Sequence, residues 1–352
     1  MKNQIYFTLR PSPAYFTFPF HLRQSLKTVN FSGILQPSRL AIPARDFFNG
    51  LIRLLNIPDD YCGIVFHSDF EFKSFLGDAF YHSRSRIFQP THREDEFASL
   101  LNSRGYHPQV FPIDIHEPVL KIKTGRANLP AYTLRNDPHT GSSIPAGAVS
   151  GYISDHPDSF FHADLTSLIP GSPVSFGELQ SYSFSLNTSF GIPNGEVVWF
   201  ISPGFLNKYL IKQEGPPPAD HLVKLSDQYY SYEFPDLLFL DVARRVTGDF
   251  IAKGLKNIIQ ETRYKFAVIE QAVKANPVFE FTVKEPANRS LTTLVLQYRG
   301  VTGQIADEFS KSGFVVDKLV PEGNAQRIRI TNFPVHSKEQ FELLADRIAL
   351  MN

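Results

Sequence analysis

The chain has one cysteine, Cys62, among 352 residues. A single thiol cannot close an intramolecular disulfide, and it is a poor basis for a thiolate metal cluster. Charge of either sign is not in surplus: 35 Lys and Arg stand against 35 Asp and Glu. Recognition of nucleic acid or of an acidic membrane surface draws on a basic excess, so neither partner is expected. No apolar run reaches the ~20 residues that cross a bilayer. Near the amino end, Arg10, Pro11 and Pro13 interrupt the apolar residues too early for a secretory leader. These absences predict a neutral, cytoplasmic protein. Phenylalanine, by contrast, is abundant at 32 residues, and large apolar side chains fill cores and subunit interfaces.

The length predicts two domains. Apolar residues recur at helical spacing from Pro43 to Leu55, through Phe47, Phe48, Leu51 and Leu54. Gly63-Ile64-Val65-Phe66 reads as a buried strand. Between residues 75 and 160, short apolar runs such as Ile87-Phe88 and Val110-Phe111 alternate with polar turns. Strands are expected at 130–134 and at 197–201. From Asp236 to Asn276 the pattern is helical, and Pro277 stops it. Beyond lie strands at 279–283, 294–296 and 326–330, and a helix over 303–311. A last helix opens with Ser337-x-x-Gln340, a capping-box pattern. Strands alternating with helices predict an α/β architecture with a largely parallel sheet. The expected division is an arm at 1–20, a large unit at 21–250 and a smaller α/β unit at 251–352.

Three stretches carry a family likeness. They are Leu54-Leu55-Asn56-Ile57-Pro58-Asp59-Asp60-Tyr61, Phe190-Gly191-Ile192-Pro193-Asn194-Gly195-Glu196-Val197-Val198-Trp199, and Arg329-Ile330-Thr331-Asn332-Phe333-Pro334-Val335-His336-Ser337. They resemble class V aminotransferases, in particular the phosphoserine aminotransferase group. The resemblance spans nearly the whole chain and is thin between residues 70 and 130. It implies the aspartate-aminotransferase-like fold, fold type I of pyridoxal phosphate (PLP) enzymes. That fold has a large α/β domain and a smaller C-terminal α/β domain. The likeness also implies a homodimer with its clefts at the interface, and PLP held by a lysine as a Schiff base.

Position by position, the resemblance implies a damaged cofactor site. Asp164, in Phe161-His162-Ala163-Asp164, matches the carboxylate that keeps the pyridine nitrogen protonated; read plainly, it is an aspartate capping a strand end. Thr188 stands at the lysine position, and no lysine lies between Asp164 and Lys208. Lys208 and Lys212 fall past the next strand. In the phosphate cradle the frame gives His67-Ser68-Asp69-Phe70-Glu71. Ser68 can still donate there, but Asp69 and Glu71 bring negative charge to a helix start that otherwise welcomes phosphate. The alternative is that this segment caps its own helix. Asn136 and Thr140 match further cofactor contacts, with Arg135 in place of a histidine. Glu233-Phe234-Pro235-Asp236 replaces a Thr-Pro-Asn that reaches the partner's phosphate, and Arg10 replaces a glycine. Arg329 matches the arginine that grips the substrate carboxylate, and Arg39 a second one.

Other chemistry finds little support. His156, His162 and Asp164 could suggest a metal, but only His162 and Asp164 share a strand face and no third ligand stands at fixed spacing to them, so no metal is expected. There is no Gly-x-Ser-x-Gly, and Gly300-x-x-Gly303 lacks the rest of a dinucleotide fingerprint. The expectation is a non-catalytic homologue with no cofactor, binding a partner protein or a small carboxylate through Arg329. Two alternatives stand beside it. One is a working PLP-dependent aminotransferase, including one that holds PLP without an imine. The other is a subunit that completes an active aminotransferase.

Overall fold

The computed structural model describes residues 4–9, 16–29, 37–80, 85–90, 96–116, 120, 129–188, 190–193, 196–206, 237–300 and 304–351. The central strands explain the architecture. β6 (Phe161–Asp164), β7 (Ser181–Ser185) and β8 (Val197–Ile201) are buried at every residue. Strands covered on both faces lie in the middle of a sheet with helices on either side.

That sheet has seven strands in the order β2-β8-β7-β6-β5-β3-β4. Its other members are β2 (Cys62–Phe66), β3 (Arg86–Pro90), β4 (Gln109–Ile113) and β5 (Ala131–Leu134). Only β8 runs against the rest; the pairs from β7 to β4 are parallel. Side chains alternate between the faces with period two. On one face, Ala131, Phe161, Ala163, Val198 and Phe200 pack on α2 (Pro37–Leu55) and α7 (Leu237–Lys253). On the other, Tyr132, Val197, Trp199 and Ile201 meet α3 (Asp69–Phe80) and α4 (Glu96–Ser103). Helix α1 (Phe18–Thr28) leans on α7 through Ser25, whose hydroxyl donates to Asp241 at 2.7 Å. α5 (Ala146–Asp155) and the single turn α6 (Pro203–Phe205) complete the helices of this unit.

A second sheet of five strands has the order β1-β11-β12-β10-β9. β9 (Phe279–Phe281), β10 (Thr293–Tyr298), β11 (Phe314–Glu322) and β12 (Ala325–Thr331) are antiparallel neighbours. β1 (Ile5–Phe7) adds to β11 in parallel, so the amino end belongs to the carboxyl-terminal sheet. α8 (Leu255–Ala275), α9 (Ile305–Lys311) and α10 (Lys338–Leu350) accompany it. Ile269, Phe309, Phe341 and Ile348 build its separate apolar core.

Two sequence expectations are corrected. The helical run from 236 to 276 is two helices, because Gly254 adopts φ +83°, which ends one helix and starts the next. The helix expected from Pro43 begins at Pro37, with Pro43 inside it. Proline lacks the N–H for one backbone bond, and the apolar side chains after it hold the helix in place. The capping box at Ser337 is present, with both reciprocal bonds.

Lys265 of α8 is buried, and its Nζ donates to the carbonyls of Phe333 at 2.9 Å and His336 at 3.0 Å. His336 in turn donates from Nε2 to the Tyr6 carbonyl and stacks on Phe7 at 4.7 Å, pinning β1. Burial lowers the Lys265 pKa from 10.5 to about 7. A neutral amine has two N–H bonds for these two carbonyls, so it keeps its partners. Below pH 7 folded and unfolded chains both carry the proton, and the cost of burying charge is fully present. Between about 7 and 10.5 only the unfolded chain holds it. The contribution of Lys265 to stability therefore rises with pH across that window, by at most about 1.4 kcal/mol per unit. Urea denaturation from pH 7 to 9 is expected to show wild type gaining on Lys265→Met; a difference constant with pH contradicts the assignment.

Candidate functional site

β2, β5, β6 and β7 point the same way, so their carboxyl ends share one edge of the sheet, where α/β folds bind ligands. That edge carries Ser68 after β2, Asn136 after β5, Asp164 at the end of β6 and Thr188 after β7.

Asp164 is 4% exposed. Its Oδ2 accepts from the Tyr132 hydroxyl at 3.0 Å and its Oδ1 from the Thr166 amide at 2.9 Å. Burial raises its pKa; Lys73 on α3 pulls it back, and Asp69 pushes it further up. Tyr132 is a site residue that sequence reasoning missed. It pairs with His162, two residues before Asp164, so it shares their face. No local signal reveals this, because the pairing joins strands about thirty residues apart.

His162 is buried and held on both ring nitrogens, by Ser181 Oγ at 2.8 Å and Ser183 Oγ at 3.0 Å. Trp199 Nε1 donates to the same Ser181 hydroxyl. Burial, with Lys73 nearby, lowers the His162 pKa to about 3, so the ring is neutral at ordinary pH. No group of three or more His, Cys, Asp or Glu residues placed to hold a metal exists among the described residues.

The start of α3 is closed by its own side chains. Ser68 Oγ accepts from the Glu71 amide at 3.1 Å, and the Glu71 carboxylate accepts from the His67 amide at 2.8 Å. Asp69 pairs with Lys73 at 2.7 Å. Carboxylates stabilise a helix start in this way. Thr188 is buried, and its hydroxyl donates to the Ser185 carbonyl at 3.3 Å. The Ser185 amide donates to Thr166 Oγ1 at 3.2 Å, and the Thr166 amide to Asp164, so Thr188 and Asp164 belong to one bonded chain.

Asn136, Thr140 and Arg329 form a different cluster, turned towards the second sheet. Asn136 Nδ2 donates to Thr293 Oγ1 at 3.2 Å, while its Oδ1 is buried without a partner among the described residues. Thr140 is bound through its amide and hydroxyl to Asp137. Gly141 adopts φ +72°, and a Cβ there would lie 3.0 Å from the Val295 amide nitrogen. Close approach and left-handed backbone together require glycine. Arg135 gives Nε and Nη2 to the Ile144 carbonyl, and burial lowers its pKa to about 10. Arg329 is 7% exposed. It donates to Asp317 through Nε at 2.9 Å and Nη2 at 2.8 Å, and through Nη1 to the Pro138 carbonyl at 3.0 Å. Arg39 lies in α2 with its side chain outside the described residues. Arg10, Lys208, Lys212, Glu233 and Asp236 lie outside them altogether.

Among the described residues of this edge, the groups matched to cofactor contacts face the chain itself. Thr188 offers no amine for an imine. The amides at the start of α3 face the chain's own hydroxyl and carboxylate, and Asp69 and Glu71 would repel a phosphate.

No family model matches the chain, and no curated protein matches it in sequence. Solved structures do match. A phosphoserine aminotransferase from Cytophaga hutchinsonii superimposes with a TM-score of 0.86 at 22% identity, covering 98% of each chain. A PLP-bound phosphoserine aminotransferase from Trichomonas vaginalis gives 0.72 at 14%, covering 97% of this chain and 98% of its own. Ureidoglycine-glyoxylate aminotransferase from Bacillus subtilis gives 0.76 at 13%, over 99% of this chain and 92% of its own. At these identities the likeness establishes architecture: the chain has the fold of the type I PLP-dependent aminotransferases, with a mostly parallel central sheet.

Proposed function

We propose that this protein is a phosphoserine aminotransferase-like homologue that has given up PLP-dependent transamination and acts as a non-catalytic ligand- or partner-binding protein. The observation that carries this reading is Thr188, at the position expected for the Schiff-base lysine, bonded to the Ser185 carbonyl. Transamination requires an amine that leaves and returns, and a threonine hydroxyl cannot do so. The closed start of α3 and the Tyr132 hydroxyl on Asp164 support the same reading. A small carboxylate at Arg329 or a protein partner would be bound instead. A cytoplasmic homodimer belongs to this reading through the family likeness alone.

The test is incubation with PLP, followed by absorbance of the imine, borohydride reduction and mass spectrometry of the whole chain. Unmodified mass is expected, and a reduced PLP adduct on any lysine overturns the reading. Thr188→Lys alone is expected to give no measurable transamination, because Asp69 and Glu71 at the start of α3 still oppose the phosphate. Turnover in that variant would show the cradle to be sound. Tyr132→Phe is expected to lower stability by about 1–3 kcal/mol, since a buried carboxylate loses a donor. Chemical denaturation reads this directly, and a neutral result would remove Tyr132 from the site.

A further inference from the structure

Asp317 and Arg329 face each other in register across β11 and β12. An arginine and a carboxylate at their strongest use two oxygens against two nitrogens. Here Nε and Nη2 of Arg329 converge on the single oxygen Oδ2, at 2.9 and 2.8 Å. The same oxygen accepts the Leu9 amide at 2.7 Å. Nη1, the remaining guanidinium nitrogen, donates to the Pro138 carbonyl at 3.0 Å. Every nitrogen of a nearly buried guanidinium is thus engaged by the chain itself. The carboxylate that holds it also anchors Leu9, two residues past β1.

We infer that Asp317 is an internal ligand: it occupies the Arg329 site in place of a small carboxylate, and an external carboxylate enters only by displacing it. This rests on the reading of Arg329 as a carboxylate site given above. The exchange is carboxylate for carboxylate, so the incoming group gains little Coulomb energy. It competes with a group whose effective concentration is of order millimolar or higher because it is tethered. Displacement also removes the acceptor of the Leu9 amide. Occupation of the site is therefore coupled to release of the Leu9 amide, two residues past β1. Small monoanions and dianions with one unhindered carboxylate are the ligand class.

Succinate is the probe, titrated by calorimetry at ionic strength fixed with chloride. Asp317→Asn keeps the shape and removes the charge, and is expected to bind succinate roughly tenfold or more tightly than wild type. Adding Arg329→Met to that variant is expected to abolish the gain. A variant that binds no better than wild type, or a gain that survives loss of Arg329, overturns the proposal. If Asp317→Asn does not fold, wild type alone decides through hydrogen exchange of the Leu9 amide. Succinate, against chloride of equal ionic strength, is expected to speed that exchange severalfold, and exchange indifferent to succinate overturns the proposal. Covalent capture of PLP in the earlier test would refute the non-catalytic reading and leave this exchange untouched, so the two failures are distinguishable.

Discussion

A carboxylate buried at the end of a central strand must be given donors or a proton, and Asp164 imposes that condition on everything around it. It sits where the sheet is covered on both faces, far from bulk water. Tyr132 and the Thr166 amide supply donors, and Lys73 supplies positive charge from α3. Lys73 is in turn held by Asp69. The negative start of α3 and the buried aspartate thus share one cation.

A second constraint is the seam between the sheets. Arg327 and Arg329 of β12 both donate to carbonyls of the loop after β5, at His139 and Pro138. The same loop gives the Ser143 amide to the Asn288 carbonyl and presses Gly141 against β10. Residues that in sequence resemble cofactor and substrate contacts therefore act here as stitching between two hydrophobic cores. Asn136 and Arg329 bond across the seam and Thr140 within its own loop, none of them towards Asp164. Asn136 Oδ1 is buried and unpaired among the described residues.

Much of the chain was legible because its signals are local. The strands at 62–66, 131–134 and 197–201 announce themselves by apolar runs, and the Ser337 capping box by a spacing of three. Ser68 and Glu71 act on the helix they open, so the reading of a self-capped helix needed no partner elsewhere. Gly254 was missed because the apolar stripe continues in phase on either side of it. The roles of Tyr132 and Asp317 were invisible for another reason. Each depends on the register of strands distant in sequence, and register is set by packing of the whole sheet.

Sequence alone determined that Thr188 brings no amine and that Asp69 and Glu71 bring charge, since these are properties of side chains in any fold. Tertiary structure alone decided what those side chains and their neighbours face. Strand pairing put a phenol on Asp164 and a carboxylate on Arg329. A hydrogen bond is settled by where two backbones come to rest, and that is the outcome of burying both sheets at once.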